Sequence, residues 1–111
     1  MAKQAIYEYE GKAINYVNGG DSVVEVGSVV PFGSRVGVAL ETIGPGKTGG
    51  VRLTGVWRMP AVNTASFDVG DQLYWDATAD KLTKVDTDTI PAGMCVAAKA
   101  ESGTEASVRL G

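Results

Sequence analysis

Histidine is absent from the 111 residues, and cysteine occurs once, at Cys95. Without histidine there can be no Ser-His-Asp or Cys-His nucleophile system and no imidazole ligand for a metal. A single cysteine cannot close an internal disulfide. Cys95 lies in an apolar run, Gly93 to Ala100, where it reads as a small buried hydrophobe. No apolar run approaches the ~20 residues a membrane helix needs, and no signal-peptide pattern is seen, so neither insertion nor export is expected.

Clustered positive charge is also missing. Ten basic residues stand against 13 acidic ones, a net charge of −3, with six basic and five acidic in the first 60 positions and four and eight in the rest. Such a chain gains little from counterion release, so nucleic acid is not an expected partner. The carboxylate pairs Glu8/Glu10 and Asp86/Asp88 sit in polar segments and read as solvated surface. Asp76 to Asp80 lacks the spacing of a calcium loop. No constellation capable of catalysis remains, and no enzyme activity, cofactor or metal is expected.

What is present is turn chemistry between short alternating runs. Fifteen glycines and four prolines break the chain every 8 to 15 residues, hydrophobic content is 44%, and no long run has helical period. An all-β domain with Gly-rich turns follows, with one core, since this length hardly allows two. The stretch from Val36 to Pro60 organises it. Val36, Val38 and Leu40 share one parity; Val51, Leu53, Trp57 and Met59 share another, opposite Arg52, Thr54 and Arg58. Between them lies Gly44-Pro45-Gly46-Lys47-Thr48-Gly49-Gly50, so the whole reads as one β-hairpin with a half-buried face.

Gly46-Lys47-Thr48 imitates the end of a P-loop, G-x-x-x-x-G-K-[ST]. The first glycine of that pattern falls on Glu41, which would repel phosphate, and a β-type run follows where a P-loop opens a helix. The segment is a glycine turn.

Residues 1–20 read as an N-terminal arm or edge strand, and 21–111 as the β domain. In the arm, Ala5, Tyr7 and Tyr9 alternate with Ile6, Glu8 and Glu10 behind a polar tip, Ala2-Lys3-Gln4. Ser22 to Phe32 reads as two short β-rich pieces split by Gly27, with Pro31 marking an edge or a strand end. Ala61 to Val69 is a loop or one short helical turn. Gln72 to Asp76, Lys81 to Val85 and Ala106 to Leu110 alternate as strands. Gly20-Asp21-Ser22-Val23 is echoed at Gly70-Asp71-Gln72-Leu73, Val38-Ala39 at Val96-Ala97, and Val51-Arg52-Leu53 at Val108-Arg109-Leu110, with offsets of 50, 58 and 57. These echoes suggest two related β units on one core.

The ordered set Gly37-Val38-Ala39, Gly55-Val56-Trp57, Gly70-Asp71-Gln72-Leu73-Tyr74-Trp75-Asp76 and Val108-Arg109-Leu110 resembles a phage family. Its members were long labelled a domain of unknown function or a RecA/RadA-type phage recombinase, and are understood as capsid decoration (cement) proteins. The resemblance implies a small β-barrel-like or β-tulip fold. It also implies a homotrimer seated on the outer surface of an expanded icosahedral head, bound to the major capsid protein and reinforcing capsomer joints. On that reading the arm residues Ala2, Lys3, Gln4, Ala5, Ile6 and Tyr7 are candidates for capsid binding. Trp57, Trp75, Leu73 and Leu53, on the apolar parity of their runs, are candidates for the core or the trimer interface. Two alternatives stand beside it: a nucleotide- or DNA-handling protein, as the older label has it, and a ligand-binding β module on the particle surface.

Overall fold

The structure, a computed structural model, describes residues 5–110. Among these there is no helix; nine strands form two antiparallel sheets. The first sheet contains β1 (Ala13–Val17), β2 (Val29–Phe32), β3 (Arg35–Ala39) and β4 (Thr48–Arg52), in the order β1-β4-β3-β2. The second contains β5 (Gly55–Pro60), β6 (Gln72–Asp76), β7 (Lys81–Thr83), β8 (Ile90–Cys95) and β9 (Glu105–Leu110), in the order β5-β9-β8-β6-β7. This second sheet curls into a half-barrel. Its two ends meet where Ala61, just after β5, forms a parallel bridge to Leu82 of β7, and Val62 N donates to Leu82 O at 3.0 Å.

The 36–60 segment is therefore not a single hairpin. β3 and β4 do pair, through Val38 with Arg52 and Ala39 with Val51. The turn is shorter than the glycine count suggests: Gly44 to Lys47 closes it, with Lys47 N donating to Gly44 O at 3.0 Å, and Thr48 to Gly50 are already strand, paired with β1. At Leu53-Thr54 the chain leaves the first sheet, and Gly55, at φ 103°, redirects it into the second. A side chain at that angle would be strained, which is why glycine stands there. Ala61 to Val69 holds no helical turn; Phe67 instead forms an isolated antiparallel bridge with Lys99.

The two sheets share one strand order. Without β7, the order β5-β9-β8-β6 repeats β1-β4-β3-β2 position for position. The bridge Val24–Ile43 recurs as Phe67–Lys99, a shift of 43 residues on one side (24 to 67) and 56 on the other (43 to 99). The turn in which Ser28 N donates to Glu25 O recurs, again shifted by 43, as Asp71 N to Asp68 O. The offset grows by 13, from 43 to 56, between β6 and β8, the stretch that carries β7. The sequence echo at offset 50 thus pairs positions that are not equivalent. Val51-Arg52-Leu53 with Val108-Arg109-Leu110 is in true register, because Ala39 faces Val51 as Cys95 faces Val108.

Each unit pins its last turn with a buried polar group, by different means. In the first, Asn18, 3% exposed, donates its amide to Ser22 O (2.8 Å) and Ile43 O (2.9 Å). In the second, Lys99 replaces Ile43. It is 6% exposed, and its ammonium donates to the carbonyls of Ala100 (2.9 Å), Glu101 (3.3 Å) and Gly103 (3.0 Å), 4.9 Å from the Phe67 ring centre. Three acceptors and an aromatic face compensate the desolvated charge without a carboxylate.

The larger core lies in the second unit, among Phe67, Leu73, Trp75, Leu82 and Val108, and it takes in Val36 and Val38 from β3. A smaller one, Val30, Ala39, Ile43 and Val51, sits on the other face of the first sheet. Leu73 (0% exposed) and Trp75 (4%) are buried within the subunit. Trp57 is half-buried against the same core, with its indole N–H donating to Thr54 O at 3.1 Å, and Leu53 is half-buried between the sheets.

Three substitutions test this packing. A Cβ on Gly93 would run into the backbone carbonyl of Arg109, which cannot move without parting β8 from β9. Gly93→Ala should cost roughly 3 kcal/mol. Gly11→Ala meets open space and bears only the strain of φ 69°, about 1 kcal/mol. Trp75→Ala should cost roughly 3–5 kcal/mol and leave little soluble protein. Equal melting temperatures for the two glycine variants, or an unchanged one for Trp75→Ala, would contradict the packing.

Candidate functional site

The side chains with chemical potential are occupied in holding turns. Asp76 accepts from the amides of Thr78 (3.0 Å) and Ala79 (3.2 Å). Asp71 accepts from Asp68 N at 2.8 Å and lies 3.8 Å from the Lys84 ammonium. Cys95 is buried, its thiol directed at Ala97 O (3.1 Å). Among the described residues no three His, Cys, Asp or Glu side chains converge as a metal site would require. The Gly46-Lys47-Thr48 segment leads into β4 instead of a helix. Glu41, at the position of the missing P-loop glycine, folds over the same turn and accepts from Gly50 N at 3.1 Å. A carboxylate occupies the space where a phosphate cradle would need bare amides.

The surface features that stand out are of another kind. Ala5 to Glu10 is wholly exposed and pairs with no strand; Ile6 is 88% exposed, Tyr7 76% and Tyr9 63%. Three large apolar side chains on so short a segment, all in water, are unusual unless something covers them. Of the residues singled out from sequence, Ala5, Ile6 and Tyr7 fall in this segment, while Ala2, Lys3 and Gln4 lie outside the described residues. Past Gly11 and Lys12 the arm runs into β1, an edge of the first sheet. Lys12 O accepts from Leu53 N and Asn18 N donates to Lys47 O, so by alternation Ala13, Asn15 and Val17 turn their backbone groups to the free side.

A second feature was not anticipated from sequence. Where the two sheets meet there is a hollow of about 300 Å³ lined by Gly11, Phe32, Arg35, Val36, Leu53 and Ala92. A smaller one, about 160 Å³, continues it past Arg35 and Ala92 to Gln72, Met94 and Arg109. Its residues come from β2, β3, β6, β8 and β9, and no local pattern links them. The one available signal was Arg109 in the repeated Val-Arg-Leu triplet.

An exposed apolar segment before β1, an open strand edge and shallow clefts, with Asp71 and Asp76 tied into turns and Cys95 buried, describe a β-sheet protein with contact surfaces. The family model for phage cement proteins matches residues 9–110, nearly the whole described chain, and the protein belongs to that family of phage capsid structural proteins. No curated protein and no solved structure matches it.

Titration with Mg-ATP should give no heat, and Lys47→Ala should change neither that result nor the melting temperature. Micromolar ATP affinity abolished by Lys47→Ala would restore the P-loop reading.

Proposed function

We propose that the protein is a homotrimeric cement subunit that binds the major capsid protein on the outer surface of an expanded phage head and braces the joints between capsomers. The membership of the phage cement family carries this reading. Its surface is in keeping with it: the groups it exposes for contact include apolar side chains and a free backbone edge. The two stacked sheets are, on this proposal, the family's β-tulip.

Residues Ala2 to Tyr7 are the capsid-binding segment in this reading. An extended segment of alternating side chains gains little by collapsing on its own domain; it gains backbone hydrogen bonds by joining a strand edge on the shell. The neighbouring β1 edge offers free backbone groups to the same partner. Three arms on one trimer then act together, so a modest affinity per arm gives stable decoration through effective concentration.

The purified protein should sediment with expanded shells and not with unexpanded ones, and light scattering should give three times 11.5 kDa. Deleting Met1 to Tyr7 should leave a folded trimer that no longer decorates. Full-affinity binding by the truncated protein would move the capsid contact to the loops around Gly44–Gly50 and Asp86–Pro91. Failure of the intact protein to bind any shell would refute the function itself.

A further inference from the structure

We infer that the cleft between the two sheets, flanked by Arg35 and Arg109, receives the Glu8-Tyr9-Glu10 segment of a second copy of this chain. This rests on the oligomer proposed above and assigns a contact that holds it together.

The cleft specifies its occupant by charge and polarity. Arg35 and Arg109 are both exposed, and neither is in an ion pair among the described residues; the pairs there are Arg58 with Glu105 and Lys84 with Asp71. No acidic residue lines either hollow, in a protein where acids outnumber bases 13 to 10. Beside Arg35 the larger hollow has apolar walls, Phe32, Val36, Leu53 and Ala92, and from Arg35 the smaller one runs past Ala92 and Met94 to Gln72 and Arg109. A ligand matching this surface is extended, has an apolar or aromatic side chain for the floor and carries carboxylates for the rim.

Among the described segments the arm fits that description. In an extended chain Glu8 and Glu10 point to the same side, about 7 Å apart, and Tyr9 to the other. Tyr9 is 63% exposed and Glu8 and Glu10 are exposed; the contact recorded for either carboxylate is a 3.2 Å hydrogen bond that Glu10 accepts from the Tyr7 hydroxyl. The other acidic stretches fit poorly. Glu25 and Asp68 sit in tight turns, and Asp86 to Asp88 has no aromatic neighbour.

The arm cannot readily fill the cleft of its own subunit. Gly11 lines one end, but Lys12 is fixed by the 2.7 Å hydrogen bond from Leu53 N to its carbonyl. A reversal into the cleft would have to occur at Gly11 alone, whereas a β-turn uses two central residues. Tyr9 accordingly lies beside Ala13, Asn15 and Gly50, along the first sheet and away from the cleft. Exchange between copies satisfies both halves of the surface, and around a closed ring it leaves neither arm nor cleft unfilled.

The test uses full-length protein and sedimentation velocity over a range of concentrations. Arg35→Glu with Arg109→Glu should weaken association by about tenfold or more, and so should Glu8→Lys with Glu10→Lys. All four changes together should restore it to within about threefold of the parent, and raising salt to roughly 0.5 M should weaken the parent but leave the fold intact. As a readout independent of charge, Tyr9→Cys with Met94→Cys should give a ladder of disulfide-linked chains on oxidation that neither single variant gives. Association unaltered in both charge-reversed pairs, no recovery in the combined variant, or no ladder would overturn the exchange while leaving the oligomer standing. A parent protein that stays monomeric at every concentration would overturn both.

Discussion

The fold depends on the triplet Val36-Gly37-Val38 in β3. Val36 and Val38 point into the core of the second unit, while Gly37 faces the other way. A Cβ on Gly37 would lie 2.8 Å from the carbonyl oxygen of Arg52 and press on Val51. One strand thus holds the first sheet tight on one face and supplies hydrophobic surface to the second unit from the other. The smaller core, with Val30, Ala39, Ile43 and Val51, holds too few apolar side chains to offset the conformational entropy of ordering a four-stranded sheet. The units therefore stand together, joined through two valines spaced around a glycine.

The stretch between β6 and β8, 13 residues longer than its counterpart, accounts for the main difference between the halves. The added residues between β6 and β8 supply β7, which covers the edge of β6 and brings the curled sheet round to Ala61. The first unit has no such strand and stays open, with β1 and β2 as edges. β2 is protected: Ser28 O accepts from Ala39 N, so Val29 and Pro31 face the free side, and Pro31 has no N–H to offer an incoming strand. β5 ends similarly at Pro60. β1 carries no such guard, and it is the strand into which the exposed arm leads.

Much of this was legible in the sequence, since period-two alternation and turn residues act locally. Gln72 to Asp76 was placed at its observed ends, because Leu73 and Trp75 alternate against polar neighbours between Gly70-Asp71 and the Asp76 turn. The all-β class and the edge position of Pro31 follow from equally local chemistry. Other features were not visible. Parity runs unbroken from Val51 to Met59, so nothing there marks the change of sheet at Gly55; only a backbone angle does. Of the echoes in the sequence, Val51-Arg52-Leu53 with Val108-Arg109-Leu110 is in structural register, whereas the matching turns Glu25-Val26-Gly27-Ser28 and Asp68-Val69-Gly70-Asp71 share only valine and glycine, too little to mark them beforehand. The cleft leaves no local mark in the sequence, since its walls come from five strands and its two arginines look like ordinary surface charge.

The roles of the described polar side chains and the build of the β scaffold serve the same end. Enzymes place reactive groups on loops and in concave pockets where strain is tolerated. Among the described residues the two at positive φ other than glycine, Asp80 and Asp88, sit in exposed connections, and Asp76, near the first, caps a turn. Polar groups taken from water, Asn18 and Lys99, are spent on fixing turns at the ends of the sheets. What is left unfixed is the arm, the β1 edge and the cleft. In the isolated chain each offers groups for a further contact. A capsid structural protein needs its internal contacts complete and its external ones open. In this chain the boundary between the two falls near Lys12, whose carbonyl is the last backbone acceptor before the arm to be bound to the sheet.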